Sequence, residues 1–411
     1  MIGDRPFAVA IHAGTDPARI DWRADYDALT YTPIEPPGHT LTGMVRYLHT
    51  FGLAFGAFDF TVTPQGYWVF LECNPSGQWL WLQEQAGLPI AEEWLSTVYS
   101  DDSLTTQYCP VPGTDLMWPT SSSTRPSLMA HMLDLLDVRT GHRVLEVGTG
   151  TGYNAALLCH RLGDRNVASI DIDPDLVATA RARLTEFGRQ PVLVSGDGAQ
   201  GIPEAAPFDR IIATCAVPAV PPAWIVQVRA GGVIVTDLRG ELASNLAVLH
   251  KTDPTTVEGR FRPVPGHFMW LRTHAENPLH DGSSFAVTID RDGAAQRMTR
   301  LDPGALDDPG LRFLLQWRDP TIQGIWRTHR GAAELLCIHY HDGAWAEVDT
   351  TGRDGRFTVT QCGPRRIWDQ VERTADQWSH LGQPCADRFG VTANTDRYWL
   401  WLDTPDTPIF D

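Results

Sequence analysis

The chain has 411 residues, with 33 Lys and Arg against 50 Asp and Glu, for a formal net charge of −17 at pH 7. With no basic cluster to offset it, that balance excludes nucleic acid and an anionic membrane surface as main partners, because phosphate contacts need concentrated lysine and arginine. The length predicts two or three domains that each bury a core, and seven scattered cysteines without a CxxC pair predict packed thiols in a reducing cytoplasm, not a disulfide framework or a zinc site.

The start, MIGDRPFAVAIHAG, has no charged segment leading into an apolar core, and no run approaches membrane-spanning length, so a cytoplasmic protein is expected. Residues 1–100 open with a strand at Phe7 to Ile11 and a helical stretch at Met44 to Phe51. A hairpin follows. Phe58, Phe60 and Val62 alternate, Pro64-Gln65-Gly66 turn, and Trp68, Phe70 and Glu72 alternate again. Asp59 lies on the first strand, and Glu72 and Asn74 close the second, two residues apart and so on one face. Converging hard oxygen ligands of this kind suit magnesium held with nucleotide phosphates.

DWR, FGAFDF and LECNPSGQW resemble the C-terminal part of the ATP-grasp ligases that cyclise ribosomal peptides. The resemblance implies that Asp59, Glu72 and Asn74 match magnesium ligands and Arg23 a phosphate contact. In that family the ATP-binding lysines and hinge would come before residue 1. Residues 1–100 are therefore expected as a partial α+β module with a vestigial magnesium site, ATP and magnesium are not expected as ligands, and an ATP-grasp ligase is a candidate partner.

Residues 101–120, DDSLTTQYCPVPGTDLMWPT, predict a linker or an arm over the next domain. In SSSTRPSLMAHMLDLLDV, Pro126 suits a first helical turn, and Leu128, Met129, Met132, Leu135 and Leu136 share a face. Ser121 to Thr124 stand at that helix start, where capping is their ordinary role.

In RVLEVGTGTGYN, Arg143 to Asn154, an apolar strand enters a turn with Gly148, Gly150 and Gly152 and then a helix. A phosphate-binding P-loop needs a lysine that is absent, and the dinucleotide fingerprint needs glycine where Tyr153 stands. What remains resembles the ExGxGxG turn of class I methyltransferases, which implies that Glu146 and bare backbone face S-adenosylmethionine. Strands at VASIDI, PVLVSGDG, FDRIIATCA and GGVIVTDL, spaced by helices, predict an α/β doubly wound parallel sheet with ligands at its carboxyl edge. Asp171 ends the second strand about twenty residues after the glycines, where a carboxylate accepts ribose hydroxyls. Asp197 ends the third and is placed to accept from the adenine amino group.

STRPSLMAHML, VLEVGTGTGYNAALL and GDGAQGIPEAAPFDRIIATCA together resemble the protein L-isoaspartate O-methyltransferase family over about 150 residues. The resemblance implies a class I, Rossmann-like methyltransferase domain over 121–270 that binds S-adenosylmethionine and takes a peptide or protein with Asp or isoAsp as substrate. In that family a serine two residues before the proline contacts the substrate carboxylate. Thr124 occupies the position, with Ser123 beside it.

From 271 the parallel pattern stops, and residues 271–411 predict a C-terminal α+β domain with one amphipathic helix carrying Ile367, Val371, Ala375 and Trp378. Its tryptophans suit either stability or substrate grip. His339 and His341 alternate without a third ligand in register and read as ordinary polar positions. Three functions follow as expectations. A tailoring enzyme would esterify an aspartate of a cyclised ribosomal peptide (a graspetide), leading to an aspartimide. A repair enzyme would act on isoaspartyl residues of damaged proteins. A binding subunit of an ATP-grasp ligase would use the same fold without catalysis.

Overall fold

The computed structural model describes residues 1–2, 5–16, 25–51, 55–74, 80–112, 114, 116–273, 291–330, 333–340 and 342–410. The chain divides into two compact units, Met1–Ser127 and Leu128–Asp411. Arg23 and His341 lie outside the described residues.

In the first unit, β1 (Ala8–Ala13) pairs antiparallel with β2 (Leu29–Ile34), and helix α1 (Gly38–Phe51) follows. The forecast hairpin forms from β3 (Ala57–Val62) and β4 (Trp68–Asn74). Aromatic side chains hold it: Phe60 meets Trp68 at 5.5 Å, and Tyr47 of α1 meets Phe58 at 5.5 Å. Helices α2 (Leu80–Ala86) and α3 (Ile90–Val98) come next.

Residues 101–120 are not a structureless linker. Leu104–Pro110 (β5) pairs antiparallel with Met117–Ser123 (β6), and Thr106 Oγ1 donates to Ser121 Oγ at 2.9 Å while Thr120 Oγ1 donates to Gln107 Oε1 at 2.7 Å. Register shifts on either side of Gln107 break the two-residue alternation, which is why periodicity missed these strands. Capping also differs from expectation. The Ser127 N–H at the start of α4 (Pro126–Leu136) donates 2.7 Å to Asp101 Oδ1, a carboxylate 26 residues upstream.

In the second unit, α4 buries Leu128, Met129, Met132 and Leu136, four of the five apolar positions that sequence put on one face. The sheet is built from β7 (Val144–Val147), β8 (Val167–Asp171), β9 (Val192–Ser195), β10 (Phe208–Val217) and β11 (Val228–Arg239), with α5 (Tyr153–Leu162), α6 (Pro174–Glu186) and α7 (Pro222–Gln227) between strands. Its parallel part runs in the order β9-β8-β7-β10-β11. The chain therefore winds outward from β7 in both directions, and the crevice between β7 and β10 is the switch point where such sheets bind ligands. β12 (Ser244–Asp253) and β13 (Thr256–Phe261) then extend the sheet antiparallel.

The C-terminal stretch is not a separate domain. After β14 (Ala295–Thr299), α8 (Pro309–Arg318), β15 (Ile322–Arg330), β16 (Ala333–Tyr340), β17 (Trp345–Asp349), β18 (Phe357–Cys362) and α9 (Ile367–His380), the chain returns as β19 (Phe389–Asn394), β20 (Tyr398–Leu402) and β21 (Pro408–Phe410). β19 pairs with β13 and carries β20 and β21 outward, giving ten strands in one sheet, while β14 to β18 form a five-stranded antiparallel sheet. The physical reason is shared burial: Phe313 lies 4.8 Å from Phe261 and 5.1 Å from Phe389, so one apolar core serves both. An open β13 edge would also leave unpaired backbone groups. On α9, Ile367, Val371, Ala375 and Trp378 are all buried, as their spacing predicts.

All seven cysteines are free thiols. Cys159, Cys215 and Cys337 are buried, but Cys385 is exposed, so packing does not account for every one. No helix among the described residues is long and apolar enough to cross a membrane.

Candidate functional site

The glycine turn follows β7, whose four residues are all buried. Gly148, Gly150 and Gly152 adopt φ of 98°, 50° and 83°, the left-handed region that glycine enters without penalty. Packing makes the first and last stringent. A Cβ on Gly148 would stand 2.7 Å from Thr214 Oγ1, and one on Gly152 would stand 3.1 Å from the Ala180 Cβ. Thr214 cannot swing away freely, since its hydroxyl donates 2.9 Å to the Gly148 carbonyl.

Asp171 ends β8 beside this turn and is half-buried. Its Oδ2 accepts from the Gly150 N–H at 2.9 Å and its Oδ1 from the Asp173 N–H at 3.2 Å. Each oxygen keeps a lone pair, so the carboxylate can still accept two vicinal hydroxyls. Burial pushes its pKa up, while the two N–H donors and the positive charge of Arg272 pull it back. Asp173 caps α6 by accepting from the Asp175 N–H at 2.9 Å. Asp197 follows β9 and accepts from the Ala199 N–H at 2.9 Å. The next residue, Gly198, is pinned by the Trp224 indole, which donates 2.8 Å to its carbonyl.

Glu146 sits differently from the two aspartates. It is fully buried, and its oxygens accept from Asn154 Nδ2 at 2.7 Å and Ser169 Oγ at 2.5 Å. Thr149 Oγ1 stands 2.6 Å from the same Ser169 hydroxyl. The carboxylate thus ties β7, β8, the turn and α5 together from inside. Burial pushes its pKa up to about 7, with the Asp171 charge adding to the rise and the two hydrogen bonds opposing it.

Glu146, Gly148, Gly150, Gly152, Asp171 and Asp197 therefore gather at the carboxyl edge of neighbouring strands in the second unit. A cofactor with a ribose and an adenine fits the donor set: bare backbone at the turn, free acceptor capacity on Asp171, and a second acid one strand further out. Ser123 and Thr124 belong to the first unit. Ser123 closes β6 opposite Leu104, Thr124 stands between β6 and α4, and both are half-buried.

Sequence reasoning missed several residues that shape this edge. Asn154 and Ser169 reveal themselves only through Glu146, and Thr214 only through the space it denies Gly148. It also missed the segment Gly266 to Arg272. Ala216 of β10 faces Asp237 of β11 on one side and Trp270 on the other, where β7 has already ended.

The magnesium trio expected from the sequence lies on the β3–β4 hairpin of the first unit. Asp59 and Glu72 are register partners across the β3–β4 hairpin, Asn74 pairs with Ala57, and all three are exposed. Among the described residues no group of three or more His, Cys, Asp and Glu is arranged to hold a metal ion. His339 is buried with its ring 4.9 Å from that of Trp326, a packed position on β16.

Comparison with known proteins agrees with the geometry. A model of the protein-L-isoaspartate(D-aspartate) O-methyltransferase family matches residues 90–264. The match takes in α3, β5 and β6, beginning earlier than the methyltransferase boundary expected at 121. The protein-L-isoaspartate O-methyltransferase of Anaeromyxobacter dehalogenans is 50% identical over 114 residues, covering 27% of this chain and 54% of that protein. That of Ignicoccus hospitalis is 42% identical over 118 residues, covering 28% and 56%. The chain thus spans about half the length of these curated relatives. That of Hyperthermus butylicus is 34% identical over 171 residues, covering 38% of this chain and 70% of that protein. With that coverage, the chain belongs to the protein-L-isoaspartate O-methyltransferase family.

Proposed function

We propose that this protein transfers a methyl group from S-adenosylmethionine to the side-chain carboxylate of an Asp or isoAsp residue in a peptide. The observation that carries the reading is Asp171 at the end of β8 and Asp197 just past the adjacent parallel strand β9, beside a turn stripped of side chains. Asp171 holds the ribose, Asp197 receives the adenine amino group, and the Gly148 to Gly152 backbone lies against the remainder. Glu146 positions the turn from inside without needing to touch the ligand, because it is fully buried and bonded to Asn154 and Ser169. Bound there, S-adenosylmethionine supplies an electrophilic methyl on a sulfonium.

An ionised carboxylate is already nucleophilic, so no general base is required. The protein's contribution is alignment and exclusion of water, which can supply several kcal/mol. Family resemblance gives the carboxylate-orienting role to Thr124 or Ser123. Once esterified, the acyl carbon is attacked by the next backbone nitrogen, methanol leaves, and a succinimide closes.

For the substrate we favour a cyclised ribosomal peptide. The family match ends at residue 264, and the returning strands β19 to β21 and the five-stranded sheet lie beyond it, as an added reader of peptide shape would. The likeness of residues 1–100 to an ATP-grasp ligase points the same way, with such a ligase as partner. Repair of isoaspartyl residues is the second reading, supported by relatives that carry that enzyme name.

Mass spectrometry after incubation with S-adenosylmethionine and, in parallel, an isoaspartyl peptide and a cyclised precursor tests both. A methyl ester followed by methanol loss on the cyclised peptide alone supports tailoring. Methylation of the isoaspartyl peptide alone establishes repair instead. A protein that binds no cofactor and methylates neither would be a peptide-binding subunit.

A further inference from the structure

Helix α4 begins beside a residue that cannot cap it. Arg125 precedes Pro126, and its side chain has no oxygen to accept the free N–H groups of the first turn. Asp101 does so instead from 26 residues upstream, its Oδ1 accepting the Ser127 N–H at 2.7 Å. The Ser127 hydroxyl and N–H together hold the Asp101 carboxyl below the usual carboxylate range, so the acceptor is charged at neutral pH. Two residues after Asp101, Ser103 Oγ accepts the Arg125 N–H at 3.2 Å. β5 follows at once, with Leu104 paired to Ser123 and Thr105 to Ser122, while Thr106 Oγ1 donates 2.9 Å to Ser121 Oγ.

Side chains thus continue the antiparallel register of β5 and β6 after the backbone ladder stops, and Thr124 is enclosed by it. Ser123, the residue before, is paired in the ladder, and the N–H of Arg125, the residue after, is held by Ser103. One residue between two fixed neighbours keeps little backbone freedom, so the direction of its Cβ is set. The hydroxyls gain as well. Serine and threonine at a helix start ordinarily serve as caps, and Ser121 to Thr124 stand at such a start. Because Asp101 takes the Ser127 N–H, that donor makes no demand on Ser123 or Thr124.

We propose that Asp101 and Ser103 are positioning residues for methyl transfer, which fix the chain at the entry to α4 and free its hydroxyls, so that Thr124 or Ser123 meets the substrate carboxylate in one orientation. The inference rests on the methyltransferase reading and on the orienting role which that reading gives this pair.

Kinetics with the peptide that the wild-type protein methylates, isoaspartyl or cyclised, test it alongside calorimetry with S-adenosylhomocysteine. Asp101→Ala is expected to lower kcat by about 10-fold, as a small misplacement of the reacting group does, and to leave S-adenosylhomocysteine affinity within about twofold. Asp101→Asn, whose amide oxygen caps a helix as well as a carboxylate does, keeps at least about half of kcat. Ser103→Ala loses a neutral hydrogen bond and lowers kcat by about threefold. Combining Asp101→Ala with whichever alanine at Thr124 or Ser123 slows the reaction should lower kcat no further than that alanine alone, since the hydroxyl to be positioned is already gone.

The proposal is overturned if Asp101→Ala keeps wild-type kcat, if Asp101→Asn is as slow as Asp101→Ala, if cofactor affinity falls along with kcat, or if the losses multiply in the combined variant, as general destabilisation predicts. Thermal unfolding of each variant confirms that it folds; should Asp101→Ala not fold, Ser103→Ala carries the same comparisons. Two further results bear on the underlying reading and are obtained with Asp101 intact, so they are distinguishable. A wild-type protein that binds no S-adenosylhomocysteine overturns the methyltransferase reading, and normal kcat in both Thr124→Ala and Ser123→Ala removes the role of the pair.

Discussion

The Asp171 carboxylate accepts the Gly150 backbone N–H at 2.9 Å across 21 residues of sequence. The acid assigned to the ribose is thus also the clamp on the glycine turn, so its loss acts twice. It removes a ligand contact and frees the loop that shapes the site.

Asp171→Ala is expected to weaken S-adenosylhomocysteine binding by about 10- to 100-fold, with Asp171→Asn intermediate because the amide keeps one acceptor. Calorimetry reads the difference. Wild-type affinity in the alanine variant would remove the ribose assignment.

Glu146 gives a pH signature. Its pKa rises from 4.5 to about 7 in the folded protein, so between those values the folded chain holds a proton that the unfolded chain has released. Stability from this group is fully present below the unfolded value and is lost as pH rises through about 7. The loss is on the order of 3 kcal/mol at one pKa unit per 1.36 kcal/mol. Glu146→Gln lacks the titration, and its amide can donate to Ser169 Oγ while its carbonyl accepts from Asn154. Urea unfolding at pH 5 and pH 8 should show the variant losing less stability than wild type across that window. Equal losses would mean that Glu146 is ionised throughout.

Gly148→Ala meets two obstacles, a φ of 98° and the Thr214 hydroxyl 2.7 Å from the new carbon. A destabilisation of about 1–3 kcal/mol is expected, with cofactor binding lost or strongly weakened. Adding Thr214→Ala should recover the steric part alone. A full recovery in thermal unfolding would show that the backbone angle costs nothing.

Thr124 and Ser123 are separable by kinetics. Alanine at the residue that orients the carboxylate should lower kcat by about 100-fold while leaving S-adenosylhomocysteine affinity unchanged, since a misaligned nucleophile binds but seldom reacts. Alanine at the other should change little. Thr124→Ser keeps the hydroxyl and removes the methyl, and is expected to retain activity. Near-normal kcat in both alanine variants would take the orienting role away from this pair.

Much of the parallel sheet was legible in the chain. Strands with every residue buried read as short apolar runs, and Gly148, Gly150 and Gly152 stand out because left-handed backbone at close quarters admits little else. Asp171 was singled out by its distance from that turn at the end of β8, and Asp197 by the GDG that follows β9. The β5–β6 hairpin was not legible, because its bulges erase the alternation that marks a strand. Glu146 was expected to face the ligand, yet its sequence position cannot say whether a carboxylate faces a ligand or the interior, and here it is fully buried. That depends on Asn154 and Ser169, 8 and 23 residues further along.

What the sequence determined by itself is local: periodicity, turn chemistry and the order of strand and acid, all fixed by neighbours along the chain. What only the tertiary structure decided is pairing between distant residues. β19 joins β13 because its apolar face and open edge are satisfied there, across 134 residues between Glu258 and Thr392. The segment Gly266 to Leu271 docks on the sheet because Ala216 and Asp237 have backbone and carboxylate groups to satisfy once β7 ends. Such closures follow from the demand that every buried polar group find a partner, and no spacing in the sequence announces which partner it will be.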